Sequence, residues 1–290
     1  MKEKGFVNRY WPYLFIIVPL LLQIIFFFIP LVQGVIFSFT DWTGLTSSYH
    51  FIGIDNYISI LSDTRFRDSI GFTLLFTIGL VAGQIILGIA IAKLLNRKIK
   101  GVGLFRTAYF FPAVISTVTL GLIFKQFFNY GLVPLGEYLQ IEWLSQSLIA
   151  NEGTAFWGLL FVELWQGVAI PVVIFLANLQ SIQNEIREAA SIDGANVWQT
   201  FKKIELPFLS PAISIVLILA MKAGLTAFDL IYALTGGGPS GSTTSLGLLV
   251  YNYAFKNNQF GYASAIAIVL FIIIAIVSVI QINSSKRFEV

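Results

Sequence analysis

Residues 184–211 read NEIREAASIDGANVWQTFKKIELPFLSP. Charged and small residues crowd this stretch, a glycine breaks it, and both flanks are long apolar runs. Its pattern is helical. Ile182, Ile186, Ala189 and Ala190 recur at spacings of three and four and make one apolar stripe. Asp193-Gly194 is a turn signal. A second short helix follows, with Val197, Trp198, Phe201 and Ile204 on one face, and Pro207 and Pro211 end it and open the next apolar run. Two short helices around a glycine corner make a protruding knuckle. Ala189, Ala190 and Gly194 would let another backbone come close, and Glu188 offers a charge to an Arg or Lys opposite. The same pattern also suits an amphipathic hairpin lying on lipid headgroups, so these residues by themselves leave both uses open.

The flanks set the context. Of the 290 residues, 57% are hydrophobic and 11% charged, and the mean hydropathy is +0.81. Soluble domains carry roughly 25% charged residues, so a chain this apolar cannot cover itself in water. The absence of cysteine excludes disulfides, thiolate metal sites and Cys nucleophiles. One histidine, His50, leaves no histidine cluster for a metal. A net charge of +3 is too small to argue for nucleic acid.

Six stretches, at about 11–39, 70–95, 102–128, 154–179, 211–235 and 261–282, each supply the roughly 20 apolar residues that a helix needs to cross the hydrocarbon. The first is too long for a signal-peptide core and lacks a clear cleavage site. Its Pro19 and Pro30 predict kinks that neighbouring helices tolerate in a membrane. The expected fold is therefore an all-α membrane protein of six transmembrane helices, a single domain over residues 1–290, with a loop at 181–207. Basic residues orient it. Lys2, Lys4, Arg9, Lys93, Arg97, Lys98, Lys100, Arg106, Arg187, Lys202, Lys203, Lys286 and Arg287 fall on one side; Arg65, Arg67, Lys125 and Lys256 fall on the other. Both termini and the 181–207 loop are expected to face the cytoplasm.

The run Glu188-Ala189-Ala190, Asp193-Gly194-Ala195, then Ile204, Leu206 and Pro207 resembles the EAA loop of ABC importer permeases. FIGIDNY (51–57), FDLIYALTGGGP (228–239) and NYAFKNNQFGYASAIA (252–267) resemble the sugar branch of that family, closest to the maltose-type and glycerol-phosphate-type permeases. The resemblance covers nearly the whole chain. It implies a type I importer permease fold in a bacterial cell membrane. It also implies an ATP-driven, binding-protein-dependent import of sugar or oligosaccharide by alternating access. Glu188, Ala189, Ala190, Asp193, Gly194 and Ala195 would then form a coupling helix seated on a cytoplasmic ATPase. The implied partners are a second related permease, two copies of the ATPase, an extracellular solute-binding protein, the sugar and membrane lipid. The chain has no GxxxxGK[ST] phosphate loop. It is therefore expected to hold no cofactor and to be no enzyme itself, with ATP and Mg bound by the partner ATPase.

Polar groups inside spans are candidates for the solute path. Glu163, Gln166 and Ile170 share a face of span four if it is one helix, and Lys222, Thr226 and Asp229 share a face of span five on the same assumption. A rise of 1.5 Å per residue puts Glu163 roughly 14 Å, Lys222 roughly 20 Å and Asp229 roughly 9 Å below the outer boundary. The resemblance carries the sugar contacts of the maltose-type permeases onto Glu163, Gln166, Gly167 and Ile170, and onto the small residues Ala220, Ala223, Gly224 and Ala227. Glu163 and Lys222 either neutralise each other or a partner subunit, or they bond to sugar hydroxyls, Glu163 accepting and Lys222 donating. Trp165 suits stacking on a sugar or plain packing. Thr235 to Ser245, TGGGPSGSTTS, is a flexible outer loop by composition.

An autonomous secondary transporter is the rival reading. It would call for more spans and an inverted repeat with broken helices, and it leaves the knuckle unexplained. A membrane enzyme would need a nucleophile beside a base, and the sequence clusters none.

Overall fold

The computed structural model describes residues 4–96 and 101–285. Of the basic residues used for orientation, Lys2, Arg97, Lys98, Lys100, Lys286 and Arg287 lie outside the described residues. The described residues form helices and turns and no strand; a lone bridge pairs Thr40 with Phe51. Three helices are long and apolar enough to cross a membrane unaided, and three more candidates are pairs bent at a break, which makes six if each pair is one span.

Helices α1 (Lys4–Gln23) and α2 (Ile29–Phe37) form the first span, joined by a π-helical turn at Ile24–Phe28. Pro30, which cannot donate to the helix ladder, lies just after that π-turn. None of the span's apolar window is buried. Helix α3 (Asp55–Ser62) follows the loop after it. There the buried Asn56 donates from Nδ2 to the carbonyls of Ser38 and Thr40, both at 2.9 Å.

Helix α4 (Thr64–Leu95), 32 residues long, is the longest; at 1.5 Å per residue it runs about 48 Å. Span three is not straight. It consists of α5 (Val102–Val114), then α6 (Thr117–Gln126), a π-turn and α7 (Leu132–Leu139), with a 98° bend between α5 and the rest. Pro112 cannot donate to the helix ladder, and the chain turns extended at Ile115. Span four is α8 (Glu152–Gly167) and α9 (Ala169–Ser181), bent 49°.

Helix α10 (Asn184–Ile192), α11 (Val197–Thr200) and α12 (Leu206–Phe208) build the knuckle, the last two linked by a π-turn at Phe201–Glu205. The helix thus runs through Pro207 and bends 67° at Leu209 into α13 (Ser210–Leu225), with Pro211 in its first turn. Helix α14 (Asp229–Leu234) completes span five after a break. Then come α15 (Leu246–Tyr251) and α16 (Phe260–Ser285), the last span.

The chain divides into two compact units: one up to Asp63 with Val250–Phe271, the other Thr64–Leu249 with the chain from Ile272. In the first, segments far apart in sequence meet. Tyr253 and Tyr262 both donate to Asp63 Oδ2, at 2.5 and 2.9 Å, and Gly261 N–H donates to the Trp42 carbonyl at 2.8 Å. A cavity of about 640 Å³ opens beside them, lined by Asp41, Trp42, Asn56, Asn258 and Gln259 among others.

In the second unit α4 packs against α9 and α13. Ala92, Leu95, Val172, Phe175, Leu176, Leu179, Ala212 and Val216 form its core. Lipid tails are as apolar as leucine, so such helices associate through close packing. Gly224 shows this: a Cβ there would stand 2.6 Å from Thr77 Oγ1 and 2.7 Å from Thr77 Cα. Only glycine lets α13 approach α4 so closely.

Candidate functional site

The knuckle is a corner held by its own backbone. Gly194 is left-handed, with φ +78°, where glycine pays no Cβ penalty. Ala195 N–H donates to the Ala190 carbonyl at 2.9 Å and Gly194 N–H to the Ser191 carbonyl at 3.1 Å. This pair of bonds is the Schellman ending of α10. Two residues on, Asn196 caps α11 reciprocally: its Oδ1 accepts from Gln199 N–H at 2.9 Å, and Gln199 Oε1 accepts from Asn196 N–H at 2.8 Å. Helix end, turn and helix start occupy four residues, so the corner is rigid without outside support.

Its tip is apolar and uncovered. Ile192 is 86% exposed, Val197 70% and Trp198 67%. Glu188, Ala189, Asp193 and Gly194 are also exposed, Ala195 is half-buried, and Ala190 is buried against the body. The expected stripe therefore splits: Ile182 and Ala190 face inward, while Ala189 faces out.

The span residues are arranged differently from a straight-helix reading. Helix α13 stops at Leu225, and Thr226 is its cap, donating to the Lys222 carbonyl at 2.8 Å. Asp229 opens a separate helix. Lys222, Thr226 and Asp229 therefore do not share one helical face, and the expected depths, which assumed a continuous rise, do not apply. The bend at Val168 likewise sets Ile170 on α9, apart from Glu163 and Gln166 on α8. Glu163 and Lys222 form no ion pair.

The breaks in spans three and five leave backbone carbonyls without helical donors, and in an apolar medium each must find another. Gln166 Nε2 donates to the Ile115 carbonyl at 2.9 Å and to Thr117 Oγ1 at 3.2 Å, patching span three. Ser245 Oγ donates to the Ala227 carbonyl at 2.6 Å, patching span five. Ala220 and Gly224 are buried, and Gly167 packs on the Gln84 amide. Ile170, Lys222, Thr226 and Asp229 are exposed, and Glu163, Ala223 and Ala227 are half-buried. Trp165 meets Phe124 edge to face, with ring centroids 5.3 Å apart.

The segment from Thr235 to Ser245, which composition marks as flexible, is folded on itself. Thr243 Oγ1 donates to the Gly238 carbonyl at 2.6 Å and meets Thr235 Oγ1 at 2.9 Å, and Thr243 and Ser245 are buried. Gly236, Gly237 and Gly241 all have positive φ, so the glycines make tight turns there in place of slack.

Residues 84–290 match the model of the binding-protein-dependent transport system inner membrane component. The chain belongs to that permease family. This permease is 59% identical over 290 residues, covering all of both chains, to the multiple sugar-binding transport system permease protein MsmF of Streptococcus mutans. It is 35% identical over 289 residues, 100% of this chain and 98% of the other, to a probable starch degradation products transport system permease protein, AmyD, of Thermoanaerobacterium thermosulfurigenes. Its fold matches a chain of a bacterial ABC transporter involved in import of the acidic polysaccharide alginate. There the TM-score is 0.83 with 18% identity, over 98% of each chain. The all-helical, type I importer permease fold expected from the sequence is the one observed.

Sequence reasoning about this permease missed the partners of Gln166 and Ser245, and it missed Lys93 and Glu205. Pro112 was the available signal for the first break. Glu205, an acid inside the apolar run Ile204 to Leu209, was the signal for the buried charge.

Proposed function

We propose that this permease is the transmembrane subunit of an ATP-driven importer of sugars or oligosaccharides in a bacterial cell membrane. Its termini and knuckle face the cytoplasm, it forms a single transmembrane domain, and it works with a second related permease. Two copies of an ATPase bind ATP and Mg beneath it, and an extracellular solute-binding protein delivers the sugar. The carrying observation is the self-supporting corner with an exposed apolar tip, on a chain of this family. Exposed Ile192, Val197 and Trp198 need a cover, and a preformed corner loses little entropy on docking. Glu188, Ala189, Ala190, Asp193, Gly194 and Ala195 are the coupling surface.

The solute path runs along Glu163, Ile170, Lys222, Ala223, Thr226 and Ala227. Charged span residues exposed in the single chain cannot face lipid cheaply, so a watery path or a second subunit covers them. Gln166, Gly167, Ala220 and Gly224 shape that path from behind, by holding a broken helix or allowing close packing. The sugar class follows the names of the relatives, and Glu163 can accept from sugar hydroxyls while Lys222 donates to them.

Reconstitution in proteoliposomes tests this. The permease alone should hydrolyse no ATP. With the second permease, the ATPase and the binding protein, hydrolysis should rise when sugar-loaded binding protein is added, and labelled sugar should enter. Glu163→Ala should abolish uptake while the complex still assembles; unaltered uptake would remove Glu163 from the path.

A further inference from the structure

The knuckle needs a mechanical connection to the spans, and apolar packing supplies little of one. Only Ala190 of α10 is buried, and no residue of α11 is. The stronger link is ionic. Glu205, with a side chain 11% exposed, sits just before α12. Lys93 Nζ, in the last turn of α4, stands 2.8 Å from its Oε2, and Arg187 Nε, on α10, stands 3.7 Å from its Oε1. Arg187 Nη2 also donates to the Leu179 carbonyl at the end of α9, at 2.8 Å. Lys93 lies over the Phe201 ring at 4.2 Å from its centroid. One carboxylate and two cations thus tie α4, α9, α10 and the helix leading to α13. On one side lie Ala92, Leu95, Leu179, Ile182 and Leu209 of the core; on the other, Lys93, Arg187 and Glu205 line an open cavity of about 390 Å³.

We propose that Lys93, Glu205 and Arg187 form a strut that carries movement of the knuckle into α4. Chain continuity alone passes that movement to α13, through the bend at Leu209. The strut makes α4 follow, so that the two packed helices swing together. These are positioning residues: they touch neither solute nor nucleotide. The inference rests on the importer reading above, because it requires a partner that drives the knuckle.

The test uses the full complex in proteoliposomes and reads ATP hydrolysed per sugar taken up. Glu205→Gln keeps size and hydrogen bonding but removes the charge. It is expected to let hydrolysis continue while the ratio rises at least about fivefold, the low end of typical coupling between sites. Lys93→Gln should act in the same direction. The subunit has no cysteine, so a Lys93→Cys, Glu205→Cys pair adds its only two. Unlinked, the pair should show the raised ratio; joined by a short bis-maleimide, it should return towards wild type. A purely structural role would lower yield without changing the ratio. An unchanged ratio in Glu205→Gln, a link that fails to restore coupling, or variants that do not assemble would each overturn the strut. A wild-type complex without ATP-dependent uptake would instead overturn the importer reading.

Discussion

The corner at residues 193–196 and the breaks inside spans three and five solve the same problem in opposite ways. Each turns the chain sharply and frees backbone groups. At the corner, partners are never more than five residues away: Ala195 reaches Ala190, and Asn196 exchanges bonds with Gln199. At the breaks, the Ile115 carbonyl is met by Gln166, 51 residues on, and the Ala227 carbonyl by Ser245, 18 residues on. The corner stands in a polar loop where water can satisfy a stray group. The breaks fall within apolar spans, and the side chains that meet them come from distant parts of the chain. An exposed corner thus carries its own bracing, whereas a break in a span is braced by its neighbours.

That contrast can be broken by measurement. The largest loss of stability is expected for Gln166→Leu, which leaves the Ile115 carbonyl unpaired. A buried unsatisfied group costs about 1–3 kcal/mol, so thermal unfolding of the purified permease should come at lower temperature, and Ser245→Ala should act alike. A Gln166→Leu protein as stable as wild type would mean that the break needs no such partner.

Smaller effects are expected at the corner. Gly194→Val meets the left-handed penalty of about 1–2 kcal/mol, and Asn196→Ala loses a cap worth about 1 kcal/mol. Both are local to an exposed turn, so the unfolding temperature should move little. Co-purification of the ATPase should fall clearly. If stability falls and co-purification does not, the corner supports the fold and is no docking handle.

The smallest effect belongs to another turn, at Asp41 and His50. The His50 backbone N–H donates to the Asp41 carboxylate at 2.7 Å, and the His50 ring stands 3.1 Å away. The backbone bond, aided by the ring, holds the Asp41 carboxyl below its ordinary value of 3.8. A depressed acid stabilises the folded loop at pH above its unfolded value, and that support is lost as pH falls through the lower, folded value. Hydrogen-exchange protection of the His50 amide should therefore be steady near neutrality and decline only in strong acid. Asp41→Asn should remove the pH dependence.

Much of the molecule was legible in the sequence. The apolar runs, the knuckle and its glycine were all readable, because hydropathy and turn chemistry act over a few residues. Pro112 is a local signal for the break in span three, whereas Thr226 to Phe228 carry no breaker and nothing local marks the break in span five. Glu163 and Lys222 suit each other, a partner subunit or sugar hydroxyls by sequence, and the structure forms no ion pair between them. The glycines of 235–245 suggested slack, and threonine hydroxyls closed them into a knot.

The sequence by itself determined a helical membrane chain with a glycine-cornered loop and motifs that resemble a permease family, since length, polarity and turn chemistry are local properties. Tertiary structure alone decided where the spans break, which side chains repair them, and that one buried glutamate joins the knuckle to α4. Those outcomes depend on groups tens of residues apart arriving within hydrogen-bonding or ion-pairing distance, where an apolar medium makes every unpaired group expensive.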